Sequence, residues 1–262
     1  MSAKLQFASG SIFLADVRRR VDAYFAASGK PRTANAAMRL KTAFFLTAAL
    51  VFFVAAIVAP FPFSLVPATL LGGTLACIGF NVGHDAIHGS YSKHAFVNRA
   101  LSLTFDLLGA SSSTWKVAHN QVHHSFTNVV GADDDIEPGP WMRFHPDRSP
   151  PRYTRFQHLY AWFLYGLTGV VWVFYKDFAQ LYFQRADART IAKVVAGKAV
   201  HFGVFVGIPL AFGVPVLAVL ECYDAMLVTD GFTLAIVFQL ANVVEGVSFP
   251  GVPASGRMSQ PW

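Results

Sequence analysis

Long apolar stretches alternate with polar segments along this chain, and the apolar stretches set its predicted architecture. Four of them have about the length that a helix needs to cross ~30 Å of hydrocarbon. They predict four transmembrane helices, at residues 42–60, 64–83, 199–220 and 225–244. We therefore expect an all-α integral membrane protein with about four transmembrane helices.

Three segments between these stretches need a different interpretation. Residues 95–118 are partly apolar, but Arg99 and Asp106 would be costly to bury in lipid, so we predict that they lie at the membrane interface. Residues 125–155 form a polar loop rich in Asp and Pro. Residues 156–175 are apolar enough to span, yet they have basic flanks and many Trp and Tyr residues, which favours an interfacial or re-entrant helix.

The basic residues orient the predicted helices. Arg and Lys are concentrated in residues 1–41, whereas the links expected after the first and third helices contain none. By the positive-inside rule, residues 1–41 form a cytoplasmic segment ahead of a membrane domain at 42–262. We expect a multi-pass protein of the inner (plasma) membrane, with a cytosolic helical cap.

The composition supports this picture. Hydrophobic residues make up 54% of the 262 and charged residues 14%, and the mean hydropathy is +0.42. These values are typical of a multi-span membrane protein. We attribute the net charge of +6 to cytoplasmic loops and anionic lipid and expect no nucleic-acid partner. Cys77 and Cys222 lack the spacing of a thiol metal site or a disulfide framework.

Histidines form the candidate site. His84 and His88 lie in NVGHDAIHGSYS, and His119, His123 and His124 lie in HNQVHHSFTN. Residues four apart share a helix face, and imidazole is the commonest protein ligand for transition metals. Both groups are predicted on the same side of the membrane, which indicates one shared metal centre.

The number of histidines narrows the choice of metal. Five imidazoles exceed the three protein ligands of a catalytic zinc site and are enough for two metals, whereas haem takes one or two axial ligands. A site at the bilayer surface meets acyl chains, whose methylenes have no acidic proton, so breaking their C–H bonds needs O₂ activated at a redox metal such as iron. The remaining candidates have no partner at ligand spacing and are predicted to be structural: His94, His145, His158 and His201.

These motifs resemble the membrane fatty acid desaturase family, in the bacterial type close to linoleoyl-CoA desaturases. The resemblance implies four transmembrane helices, a cytosolic di-iron site bound mainly by histidines, an acyl substrate in a bent tunnel, and insertion of a double bond with O₂ and two electrons. It gives the ligand role to the five clustered histidines and a supporting role to Trp115 and Asn120. The similar stretches are NVGHDAIHGSYSKH, WKVAHNQVHHSFTNVVGADDDIEP, RFQHLYAWFLYG and FQLANVVEGVSFP.

The resemblance also implies a set of partners. It suggests two iron ions as cofactor, membrane lipid, and a fatty acyl substrate carried on CoA, on acyl-carrier protein or on a lipid. A separate electron donor such as ferredoxin or cytochrome b5 is expected, because the chain shows no haem-binding motif.

Two departures from the family pattern qualify this expectation. Family members carry a third motif, QxxHH, beyond the fourth span, and the chain ends before such a motif. Asn242 stands where related sequences tend to have histidine. We therefore expect a domain that is incomplete at its C-terminus, with poor or no di-iron loading.

Three alternatives remain open. A fatty acyl hydroxylase would use the same di-iron site and differ only in the step after the first hydrogen abstraction. A truncated, non-catalytic membrane protein would keep the motifs without the reaction. A metal transporter or metal-storing protein would need ligands inside the spans, and the predicted spans contain only Asp230 and His201 as candidates.

Overall fold

The computed structural model describes residues 5–8, 12–137, 139–145, 149 and 151–261, and these are largely helical. The all-α prediction is confirmed, as is the number of helical segments long and apolar enough to cross a membrane. Two short strands, β1 (Gln6–Ala8) and β2 (Arg257–Pro261), pair in parallel. The four candidate membrane segments are Ala36–Val58, Leu65–Ile87, Ala188–Ala211 and Val216–Asn242.

The helices follow one another with short connections except across residues 124–151, where the described residues form turns and the short 3₁₀ helices Asp134–Ile136 and Gly139–Trp141. The first half of the chain contains α1 (Ile12–Ser28), α2 (Ala36–Val58), α3 (Leu65–Ile78), α4 (His84–Ile87), α5 (Ala95–Ser102), α6 (Thr104–Leu108) and α7 (Ser112–Trp115). The second half contains α8 (Gln157–Gly166), α9 (Thr168–Val171), α10 (Asp177–Phe183), α11 (Ala188–Phe202), α12 (Ile208–Ala211) and α13 (Val216–Asn242). Four π-helical segments continue neighbouring helices: Gly79–Gly83, Lys116–His123, Trp172–Lys176 and Gly203–Gly207.

The first two membrane segments are longer than predicted. The Asn35 side chain accepts the Met38 N–H at 2.9 Å, so α2 begins at Ala36, well before residue 42. The second segment continues through its π-helical turn into α4, so His84 lies within the helix instead of following it. Polar residues at a helix end lower the hydropathy of a span without ending its hydrogen bonds.

The predicted bounds of the third and fourth spans are wrong. The third segment, α11 to α12, ends at Ala211, and Gly213 then turns the chain with a φ of +82°. Pro215 precedes α13, which contains Glu221 and Asp224, two residues predicted to lie in the link. Apolar residues continue through this turn, so hydropathy does not reveal a break that Gly and Pro create.

Helix α13 is the centre of the packing. A Cβ added at Gly72 of α3 would lie 2.2 Å from the Met226 carbonyl oxygen of α13. On another face of α13, a Cβ added at Gly231 would lie 2.2 Å from the Gly169 backbone nitrogen of α9. The glycines therefore bring three backbones into contact, as small residues do between membrane helices. The surrounding core contains Leu71, Leu75, Ile78, Val82, Leu108, Val173, Phe205 and Leu227.

The segment at residues 156–175 is not one continuous helix. It consists of α8, α9 and most of the π-helical segment at Trp172–Lys176, and it is not among the candidate membrane segments. Gly166 and Gly169 pack against α13 near Val228 and Leu227. The interfacial placement of this segment, like that of residues 95–118, stays a prediction.

The contact between α3 and α13 gives a direct test of this packing. Gly72→Ala places a methyl group against the Met226 backbone. We expect the free energy of unfolding to fall by about 1–3 kcal/mol, the range for overpacking a close-packed interface. The midpoint of thermal unfolding in detergent measures it. Gly73→Ala is the matched control, because its Cβ would meet only the Thr229 side chain, at 3.8 Å. Equal midpoints for the two variants would contradict the close approach.

Candidate metal centre

The first two histidines lie at the end of the second membrane segment. His84 begins α4 directly after the π-helical turn, and His88 is its C-cap. Their ring centroids are 4.5 Å apart, as expected for residues one turn apart. Gly83 fixes this end of the helix, since a Cβ there would lie 2.9 Å from the Phe105 ring.

The other three histidines lie on or next to the π-helix Lys116–His123. In a π-helix the hydrogen bond runs over five residues, and the His124 N–H accordingly donates to the His119 carbonyl at 3.0 Å. This wider turn brings the residues four and five positions after His119 next to it. His119 therefore contacts both His123, with stacked rings 5.3 Å apart, and His124, with centroids 4.5 Å apart.

The two groups of histidines converge on His119. Its Nε2 lies 3.0 Å from Nε2 of His84 and 3.1 Å from Nε2 of His124. His88 completes the cluster, and the four residues each offer a ligand atom within 4.8 Å of the others. His119, His123 and Asp135 form a second set, whose ligand atoms also lie within 4.8 Å of one another.

This donor set fits a transition metal. Two nitrogens that bind one ion at about 2.1 Å and at right angles lie about 3.0 Å apart, close to the separations at His119. Nδ1 of His119 is buried without a hydrogen-bond partner among the described residues, so the protein offers this ring no other polar contact there. Neutral imidazole is a suitable ligand for iron, zinc, copper and nickel.

Partial desolvation and the proximity of the rings to one another favour the neutral form of His88, His119 and His124. Desolvation, reinforced by the neighbouring histidines, lowers the pKa of His88 to about 4 and that of His119 to about 2. Desolvation also lowers the pKa of His124. Neutral rings keep their lone pairs available to a cation at neutral pH.

His123 has a different environment, made by three consecutive aspartates, Asp133–Asp135, which we call the acidic turn. Desolvation would lower the pKa of His123, but its bond to Asp133 and the nearby charge of Asp135 outweigh this and raise the pKa. Its Nδ1 lies 3.0 Å from Oδ1 of Asp133, which is buried and also accepts the Asn128 N–H at 2.8 Å through Oδ2. A carboxylate on Nδ1 fixes the ring and leaves Nε2 for a metal.

Aromatic and amide side chains hold the two groups together. Trp115 stacks on His119, with centroids 4.7 Å apart and the planes 13° apart. The Trp172 ring lies 4.9 Å from that of Trp115. The Asn120 side-chain amide donates to the Ile87 carbonyl at 3.0 Å, which ties the second group to the first. Trp115 thus contacts the second group and Asn120 joins it to the first, and their supporting role at a metal centre stays a prediction.

The structure separates the predicted ligands from the other histidines. All five lie together, with His123 at the edge, turned toward the acidic turn. His94 and His158 are exposed, and His145 is buried beside Glu137. His201 is fully buried and satisfied by the Leu107 carbonyl and the Tyr223 hydroxyl, in agreement with its structural prediction.

Sequence reasoning missed the outer contacts of the site. Asp133 and Asp135 were assigned only to a polar loop, although three consecutive Asp residues begin nine positions after His124. The sequence pattern makes Lys198 only one of the basic residues that follow residues 156–175 and predicts no contact for Asp177, yet the two side chains form a buried ion pair at 2.7 Å. A buried charge in an apolar stretch is the signal that points to such a pair.

Comparison with known proteins matches this architecture. Residues 60–247, well over half of the chain, match the family described as fatty acid desaturase. The sn-1 linoleoyl-lipid 6-desaturase of Synechocystis sp. is 33% identical, over 94% of this chain and 71% of its own length. The enzyme of that name from Arthrospira platensis is 32% identical over 95% and 70%. The acyl-lipid (8-3)-desaturase of Physcomitrium patens is 32% identical over 94% and 54%.

Replacing the Asp133 carboxylate, which contacts Nδ1 of His123, tests the role of the acidic turn. Asp133→Asn keeps the size but loses the charge, and we expect a loss of about 10–100-fold in affinity for Co²⁺, the usual range for an outer contact of a metal ligand. Titration followed by the visible absorption of cobalt measures it. Asp22→Asn, at an exposed position of α1, is the control and should bind as the wild type does. An unchanged affinity in Asp133→Asn would show that His123 takes no part.

Proposed function

The chain belongs to the fatty acid desaturase family, and we propose that it inserts a double bond into a fatty acyl chain at an iron centre. The family makes the chain an oxidoreductase that acts on fatty acids, and its four candidate spans make it a multi-pass membrane protein. Our proposal adds two iron ions, O₂ as the oxidant, and one set of protein ligands. These are His84, His88, His119, His123 and His124.

The observation that carries this proposal is the convergence of four imidazoles from two separate helices. Within 4.8 Å they offer a nitrogen-rich set, which suits iron. Bound iron supplies the activation of O₂ that breaking an unactivated C–H bond requires. His84 lies in the last turn of a membrane segment and His88 directly after it, which would put the centre within reach of an acyl chain in the bilayer.

The protein side chains position this centre, which is buried on the side of His119 and open on the side of His88 and His124. His119 lies between the two helical groups and is held by the stacked ring of Trp115. Asp133 fixes the ring of His123 through Nδ1. Phe105 and Trp172 pack on Trp115 and exclude water from it. A small cavity beside Phe105 and Trp172, about 10 Å³, is far too small for an acyl chain.

The comparisons favour a particular form of substrate. The relatives from Synechocystis sp. and Arthrospira platensis are named for a linoleoyl lipid, and the relative from Physcomitrium patens for an acyl lipid. We therefore propose a lipid-linked acyl chain as the substrate, in preference to acyl-CoA or acyl-carrier protein. A glycerolipid already lies in the bilayer beside the membrane helices.

The exposed basic residues suggest where an electron carrier binds. Arg185, Arg189 and Lys193 are exposed at or near the start of α11, and Lys116 is exposed at the start of the histidine-bearing π-helix. Positive charge on this side agrees with a cytoplasmic orientation in the inner membrane. It would also attract an acidic electron carrier of the ferredoxin or cytochrome b5 kind.

Product analysis tests the reaction. Because its departures from the family pattern predict poor iron loading, we expect the chain, expressed with an electron donor in cells supplied with linoleate, to give only a small yield of a fatty acid with one additional double bond, identified by gas chromatography and mass spectrometry. His119→Ala should reduce this product to background, because His119 contacts both histidine groups. His94→Ala, at an exposed histidine outside the cluster, is the matched control and should retain the product.

Two other outcomes would each refute the proposal. A hydroxylated acid without an alkene would make the chain a hydroxylase. A membrane protein that binds iron but forms neither product would be the non-catalytic form.

Asn242 offers a gain-of-function test of the centre. It lies one turn beyond Phe238, which packs on Trp115, so the two residues share the helix face toward the site. Because imidazole binds iron better than a carboxamide does, we expect Asn242→His to raise the iron bound per chain. Iron analysis of purified protein measures this, with Asn242→Gln as the control. Equal iron in all three proteins would place residue 242 outside the site.

A further inference from the structure

A row of polar side chains along α10 contacts both ends of the second histidine group. Asp177, Gln180 and Gln184 recur at intervals of three and four, which places them on one helix face. Lys176 directly precedes them. None of the four is a ligand of the proposed metal centre, so their shared face needs a separate explanation.

Asp177 holds the segment that leads into the histidine-bearing π-helix. It is buried, and its Oδ2 accepts the Ser111 N–H at 2.9 Å while its Oδ1 accepts the Thr114 hydroxyl at 2.9 Å. Gln184 adds a bond from its amide to the Thr114 carbonyl at 3.1 Å. Ser111 is itself the N-cap of α7, so α10 fixes the start of the helix that carries His119.

The same face reaches the acidic turn at the other end of the π-helix. The Gln180 amide donates to Oδ2 of Asp134 at 3.0 Å. Nζ of Lys176 lies 3.9 Å from Oδ1 of Asp135 and 5.7 Å from the centre of the Trp115 ring. The turn that fixes His123 and the ring that stacks on His119 are thus both in contact with α10 or the residue before it.

Lys198 anchors this arrangement to the third membrane segment. Its Nζ lies 2.7 Å from Oδ2 of Asp177, and it donates to the carbonyls of Gly109 at 2.5 Å and Trp172 at 3.3 Å. The ion pair is buried, and both oxygens of the carboxylate are engaged. A buried ion pair is weak evidence for stability as such, but it can specify one arrangement of the elements that it joins.

We propose that Asp177 and Lys198 are positioning residues, which set the rotation of the π-helix so that His119, His123 and His124 face the metal. This inference rests on the proposed metal centre, although its effect on the π-helix exists without metal. The pair acts through Ser111 and Thr114, so its loss should loosen residues 111–124 and weaken metal binding together.

The test compares stability with order in the π-helix. Asp177→Asn or Lys198→Met alone leaves a buried charge without its partner and is expected to unfold easily. The double variant Asp177→Asn/Lys198→Met removes both charges. We expect its thermal midpoint to stay near that of the wild type. Amide hydrogen exchange of metal-free protein should be at least about tenfold faster within residues 111–124, and Co²⁺ affinity should fall about 10–100-fold.

Controls separate this inference from the proposed function. Lys193→Met, an exposed lysine on the same helix as Lys198, should match the wild type in thermal midpoint, in amide exchange and in Co²⁺ affinity, none of which involves an electron carrier. Unchanged exchange within residues 111–124 in the double variant, or equally faster exchange along the whole chain, would overturn the positioning role. Failure of wild-type protein to bind Co²⁺ would instead refute the metal centre, and the exchange measurement would still decide whether the pair orders the π-helix.

Discussion

The structure depends on three imidazole nitrogens that face one another around His119. Its Nε2 has the Nε2 atoms of His84 and His124 at 3.0 and 3.1 Å. Proteins bury polar atoms beside complementary partners, and three ring nitrogens that converge on one point satisfy one another poorly. A shared cation would resolve this arrangement, because each lone pair would then have a charged partner. The remaining features of the fold explain how rings from two helices are held at this separation.

Backbone geometry and outer contacts divide that task. The π-helical turn at Gly79–Gly83 ends at His84, and the π-helix at Lys116–His123 brings three histidines to one side. Glycine contacts hold α3, α9 and α13 together beneath them. Around this frame, polar contacts run from Lys198 through Asp177 to the start of the π-helix, and from α10 to the turn beside His123. The site is therefore fixed at both ends by residues that are not metal ligands.

Local patterns in the sequence predicted part of this arrangement. The clustering of the histidines could be predicted because spacing of four residues on a helix determines a shared face without further information. The number of membrane segments follows from hydropathy, but the turn at Gly213 and Pro215 lies within an apolar stretch and was missed. The pairs His123–Asp133 and Asp177–Lys198 join residues from separate elements, so no periodicity along the chain reveals them. The π-helical geometry was also invisible, because it depends on packing rather than on residue preference.

The most direct test of the metal centre is X-ray absorption of the purified chain loaded with iron. The account predicts a first shell dominated by nitrogen at about 2.1 Å, with the outer-shell scattering of several imidazoles, which His119→Ala diminishes. A shell of oxygen alone, the same in wild type and His119→Ala, would mean adventitious iron and would contradict the shared centre.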